Sequence, residues 1–261
     1  MKITPNALTI NQLFSAANEQ FVIPAYQRRY SWRERQITEL IEDIALVETG
    51  DTHLLGSIVC LAGHHTAGLN LLELVDGQQR LTTLGILLEC IRQRLETLGE
   101  KEAVADLARL LTAKPLGGPA ARKVVLDSID AEEFERLLKH ADDDGQCRNL
   151  RLAKAFAIVR GWLEAQSLAE VGSFLYKLQN LVLVIRLDVG DAKDAFKLFE
   201  TINNRGLKLS PTDIIKNFVL GNAARFGRAQ LDAARSSLKF KQVQERSMAL
   251  AQVAVGLWPR P

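Results

Sequence analysis

Cysteine and histidine are scarce in this chain, with three and four copies in 261 residues, and neither is spaced to build a site. Cys60, Cys90 and Cys147 are odd in number, far apart and free of any Cys-x-x-Cys pairing, so they suggest neither a disulfide framework nor a zinc site. Reduced, packed thiols are the expectation. His64 and His65 are adjacent, and neighbouring residues rarely face one metal together. No histidine follows His140, which removes a His-dependent nuclease from the C-terminal part. No Gly-x-x-x-x-Gly-Lys-[Ser/Thr] occurs, which excludes an ordinary P-loop NTPase. The longest apolar runs, 84–88 and 181–187, fall short of the roughly 20 residues that span a bilayer, and the N-terminus lacks a charged-then-apolar leader. The expected location is the cytoplasm. Internal repeats and low-complexity tracts are also lacking.

What is present is an ordinary globular composition, 47% apolar and 25% charged, enough for one large domain or two smaller ones. A net charge of +2 means that nucleic-acid contact would have to come from a local basic patch. Residues 21–23 read as a short strand, followed by the Pro24 break and a basic aromatic loop. Ser31-x-x-Glu34 reads as a capping box for a helix carrying Trp32, Ile37, Leu40, Ile41 and Ile44. Residues 54–61 and 71–75 read as a hairpin around a His-bearing loop at 63–70. From Gln78 onward, Leu81, Leu84, Leu88, Ile91 and Leu95 recur at helical spacing.

Lys114 to Pro119 and Ala141 to Gly145 are breaker clusters. Helices are expected at about 131–140, 149–165 and 168–179, a buried strand at 181–185, and a helix over 192–204. Gly206 would supply that helix's C′ position, and Ser210-Pro211-Thr212-Asp213 would open another. The end at Trp258 to Pro261 reads as arbitrary, as in a truncated chain.

Three segments carry chemistry. A strand delivering Asp76-Gly77 into a helix places unpaired N–H groups and the positive end of the helix dipole at a phosphate-sized site. Arg80, one turn in, could offer its planar fork to phosphate oxygens, and Mg²⁺ on Asp76 would relieve the repulsion between carboxylate and phosphate. Gln78 or Gln79 could orient an attacking water. The competing reading makes Asp76 an N-cap and the glutamines solvated first-turn residues. In the second segment, Tyr26 to Arg33 gathers three aromatics and three arginines, suited to base stacking and phosphate contact; alternatively, Trp32 and a tyrosine are buried for packing. In the third, Asn203, Arg205, Lys216 and Asn217 are left over once capping chemistry is accounted for.

Together, Ile23-Pro24-Ala25-Tyr26-Gln27-Arg28-Arg29-Tyr30-Ser31-Trp32, Val75-Asp76-Gly77-Gln78-Gln79-Arg80-Leu81-Thr82-Thr83, and the pattern from Phe199-Glu200 through Asn203, Arg205 and Asp213 to Lys216-Asn217 resemble the N-terminal domain of GmrSD-type restriction endonucleases over about residues 10–220. The resemblance implies an α+β fold: a ParB/sulfiredoxin-like small mixed sheet with a larger, mainly helical part. The expected division is a core at 1–112, a helical insertion at 113–180 and a return strand with helices at 181–261, without a nuclease domain.

On this basis the expected activity is an Mg²⁺-dependent nucleoside triphosphatase, acting on GTP or another triphosphate, that senses modified foreign DNA. Asp76, Gln78, Gln79 and Arg80 would be catalytic, with Asp76 on the metal. Gln27, Arg28, Tyr30, Gly77, Asn203, Arg205 and Lys216 would bind the nucleotide, and Arg29 and Arg33 the DNA. A non-catalytic ParB-like DNA- or nucleotide-binding module is the alternative. DNA, a separate nuclease subunit and a second copy of the chain are the partners to consider.

Overall fold

In the computed structural model, residues 3–66, 68–115, 117–126, 130–139 and 147–203 are described. Two compact units are distinguished, Met1–Gly190 and Asp191–Pro261. The described part of the second is one helix, α8 (Ala192–Asn203), whose first turn is closed by the Asp191 carboxylate accepting from the Lys193 N–H. The expected continuation at Gly206 and Ser210 lies outside the described residues, as does the breaker at Ala141 to Gly145.

The first unit is built on a six-stranded mixed sheet in the order β1-β8-β3-β4-β2-β7. Strand β1 (Ile3–Thr9) pairs antiparallel with β8 (Val182–Val189). Strand β3 (His53–Thr66) runs parallel to β8 and antiparallel to β4 (Leu69–Asp76). Strand β2 (Glu19–Ile23) lies parallel to both β4 and β7 (Val124–Leu126). A separate two-stranded piece joins β5 (Thr112–Ala113) to β6 (Ala121–Arg122).

Seven helices accompany this sheet among the described residues of the first unit: α1 (Ile10–Ser15), α2 (Glu34–Leu46), α3 (Gln78–Thr97), α4 (Lys101–Leu110), α5 (Ala131–Lys139), α6 (Leu150–Glu164) and α7 (Leu168–Asn180). The architecture is α+β, with a small sheet core and a larger helical part. Helix α3 is its axis. Leu81, Leu84, Ile86, Leu87, Leu88 and Ile91 are all fully buried, so the first half of this helix is enclosed on most sides. It packs against α4 and α6. No helix among the described residues is long and apolar enough to cross a membrane.

Several sequence expectations shift position. The hairpin is present, but β3 runs on through His64 and His65, so the histidines belong to a strand and not to a loop. The Ser31-x-x-Glu34 capping box is displaced: α2 begins at Glu34, and its entry is closed by Gln36 Oε1 accepting the Arg33 N–H at 2.8 Å. Ser31 cannot take part because its own N–H is held elsewhere, by Gln79. Helix α6 begins one residue after the expected start, with Asn149 as N-cap, its side chain accepting from Arg151 N and Leu152 N. All three cysteines are free and buried, and burial pushes the Cys60 and Cys90 thiols up to about 12.

Candidate functional site: a braced basic loop

The chain between β2 and α2, residues 24–33, has no regular structure beyond a turn in which Gln27 N–H donates to Pro24 O at 3.0 Å. Its shape is imposed by the Asp76 to Arg80 segment beneath it. Gln79 Oε1 accepts from Ser31 N at 2.7 Å and Trp32 N at 3.3 Å, and its Nε2 donates to Arg29 O at 3.3 Å. Gln78 Nε2 donates to Arg28 O at 2.8 Å. Gln27 Nε2 reaches back to Val75 O at 2.8 Å. The glutamines substitute for the sheet partners that an irregular loop lacks. Gln78 Oε1 is itself buried without a hydrogen-bond partner, beside a shallow cleft bordered by Ile23, Arg28, Tyr30, Thr82 and Asp130.

Gly77 joins β4 to α3 in the left-handed region, at φ 88°. A Cβ there would meet Ile58 Cγ2 at 2.6 Å, so both conformation and contact demand glycine. Asp76, just before it, is largely buried. Desolvation raises its carboxyl above the ordinary range, while the Gly77 N–H and the charges of Arg80 and Arg28 pull it back.

Arg80 turns toward β3 and away from the loop. Its Nη1 donates to Ser57 O at 2.6 Å, and its guanidinium lies where a side chain at Gly56 would be, with a Cβ there only 3.2 Å from Cζ. Gly56 has φ 118°, a second conformation that side-chain-bearing residues avoid. Gly56→Ala is therefore expected to lower stability by about 1–3 kcal/mol through backbone strain and to displace Arg80. Thermal unfolding of the single and double variants with Arg80→Ala checks it: the two losses should be less than additive.

A second brace comes from α5 and α6. Arg29 Nε donates to Asp130 Oδ1 at 2.7 Å, and its Nη2 contacts the same oxygen. Asn149 Nδ2 bridges Asp130 Oδ2 at 2.7 Å and Tyr30 O at 3.2 Å. Glu133 accepts from the backbone of Arg148 and Asn149. Arg151 Nη1 donates to Ser31 O at 2.9 Å. Sequence reasoning missed Gly56, Asp130, Glu133 and Arg151. Asn149 was visible only as the start of an expected helix, and its longer-range partners leave no mark on local spacing.

The aromatics do not form the stacking platform suggested by the sequence. Tyr30 is buried, its hydroxyl 2.8 Å from Thr83 Oγ1. Tyr26 donates to the Glu73 carboxylate at 2.6 Å. Trp32 packs against the hydrophobic core. Arg28, Arg29 and Arg33 remain exposed. Asn203 ends α8, and Arg205 and Lys216 lie outside the described residues.

The site is an arginine-bearing loop clamped between two buried polar networks. The chain belongs to the GmrSD restriction endonuclease N-terminal domain family, whose model matches residues 10–220. No curated protein matches it.

The expectation of an Mg²⁺-dependent nucleoside triphosphatase is overturned. The matched family is that of the N-terminal domain, and among the described residues no group of three or more His, Cys, Asp or Glu side chains could hold a metal. The described residues offer Asp76 no companion metal ligands, and neither Mg²⁺ nor a nucleoside triphosphate is a supported cofactor. The physical reason lies in the hydrogen bonds: Gln79 spends its amide on loop backbone, Gln78 donates to Arg28 O, and Arg80 is committed to β3.

Proposed function

We propose that this chain is a non-catalytic DNA-binding module, the recognition part of a cytoplasmic restriction or phage-defence system that directs a separate nuclease subunit to modified foreign DNA. The observation that carries the reading is the loop of exposed Arg28, Arg29 and Arg33, held rigid from below by Gln27, Gln78 and Gln79. Pre-ordered cations lose little conformational freedom when they meet phosphates. Gly77, Arg80 and Asp76 act in this reading as the frame for the turn. Tyr30 anchors the loop to the core. A ParB/sulfiredoxin-like core is supported by the small mixed sheet and by β4 feeding directly into α3. Residues 1–112 would supply that core, 113–180 an insertion that flanks the loop, and 181–261 the closing strand and further helices.

The test is equilibrium binding to a duplex of about 20 base pairs at several salt concentrations. Affinity should fall with a log–log slope near −0.9 per phosphate neutralised, and Arg28→Ala with Arg33→Ala should flatten that slope by about two units. A chain with no duplex affinity at low salt would refute the reading.

A further inference from the structure

The basic loop does not stand alone. Its residues run alongside the start of α6 in matched order. Arg29 and the backbone of Arg148 share Glu133, Asn149 reaches Tyr30 O, Arg151 reaches Ser31 O, and Lys154 lies 3.6 Å from Glu34. Two stretches more than a hundred positions apart in sequence thus lie side by side. Arg148, Arg151 and Lys154 are all exposed. Arg151 and Lys154 are three residues apart on one helix, hence neighbours on its surface.

Charge is concentrated here well beyond the chain's net +2. The acids within reach do not cancel it. Asp130 and Glu133 sit underneath, with side chains almost fully buried, and face Arg29 from below. Glu34 pairs with Lys154 across an exposed gap, a contact worth little. Among the described residues, Arg151 spends one donor on Ser31 O.

We propose that Arg148, Arg151 and Lys154 form a second phosphate clamp, so that the loop and α6 together track the backbone of double-stranded DNA. This rests on the DNA-binding reading above and extends it to residues that motif reasoning left unassigned. Duplex is favoured over single strand by the aromatics. A single-strand groove needs rings on which bases stack, and Tyr26 and Tyr30 are tied to Glu73 and Thr83. What remains exposed is largely cationic, with Glu34 the acid among it, which suits a backbone whose phosphates are presented at fixed spacing.

The experiment titrates the full chain against one labelled duplex of about 20 base pairs and against its single strand, over a salt series, comparing wild type with Arg148→Ala/Arg151→Ala and Arg28→Ala/Arg33→Ala. The expected result is a flattening of the duplex salt slope by about two units in each double variant, with near-additive losses when the two are combined. Duplex should bind more tightly than single strand. Arg148 and Arg151 are both exposed, so any loss of stability should be confined to the single Arg151–Ser31 contact; Arg148→Lys/Arg151→Lys, which keeps the charge, should restore most of the slope. A wild-type slope in Arg148→Ala/Arg151→Ala alongside a flattened one in the loop variant overturns the clamp and leaves the DNA-binding reading intact. Absence of duplex binding by wild type overturns both. Equal or tighter binding of the single strand overturns the duplex assignment.

Discussion

Replacing Gln79 with alanine is expected to cost about 2–4 kcal/mol of stability and to raise the dissociation constant for duplex DNA by tenfold or more. One amide oxygen serves both Ser31 N and Trp32 N. Removing it strands two backbone donors in a partly buried place, each at a cost of about 1–3 kcal/mol. The loop would then lose its shape and the arginines their pre-ordering. Gln79→Met separates packing from hydrogen bonding, because it keeps the volume and drops the polar atoms. It should lose nearly as much as alanine in urea unfolding. A loss below about 1 kcal/mol in both variants would show that the amide does not hold the loop.

Asp130→Ala is expected to be comparably destabilising, by about 2–4 kcal/mol, but to leave low-salt DNA affinity unchanged or raised. Its carboxylate is almost fully buried, receives Arg29 on one oxygen and Asn149 on the other, and stands at the start of α5, where its carbonyl accepts Phe134 N at 2.8 Å. Arg29 is itself partly exposed, so solvent screens the pair and its loss costs less than that of a fully buried one. Once released, Arg29 adds its charge to the basic face, while Gln78, Gln79 and Asn149 still hold the loop backbone. The two variants therefore split stability from binding: Gln79→Ala loses both and Asp130→Ala only the first. Parallel losses of affinity in both would refute the separation.

Much of the fold was legible because it follows local rules. Helix α3 announces itself by apolar residues at every third and fourth position, and α6 and α7 fall within a residue of their expected bounds. Strand β1 was missed because Pro5 and Asn6 interrupt its apolar alternation; its pairing is supplied by β8, far along the chain. The Asp76 to Arg80 turn was located correctly and its chemistry misjudged. A strand–glycine–helix junction looks the same whether its glutamines face a ligand or a loop, and only the hydrogen-bond partners decide. Arg80 is the sharper case. Its helical position predicts a side chain leaning toward the helix start, but not that Gly56 leaves space for it on β3.

The link between Arg151 and Ser31 joins residues 120 positions apart. During synthesis the loop emerges long before its companion helix, and closing so large a span carries an entropy cost that only the finished core repays. The braced basic loop should accordingly be among the last features to mature. Short peptides copied from either stretch should bind as unstructured polycations, with salt sensitivity but without the rigidity that would let them discriminate one DNA from another.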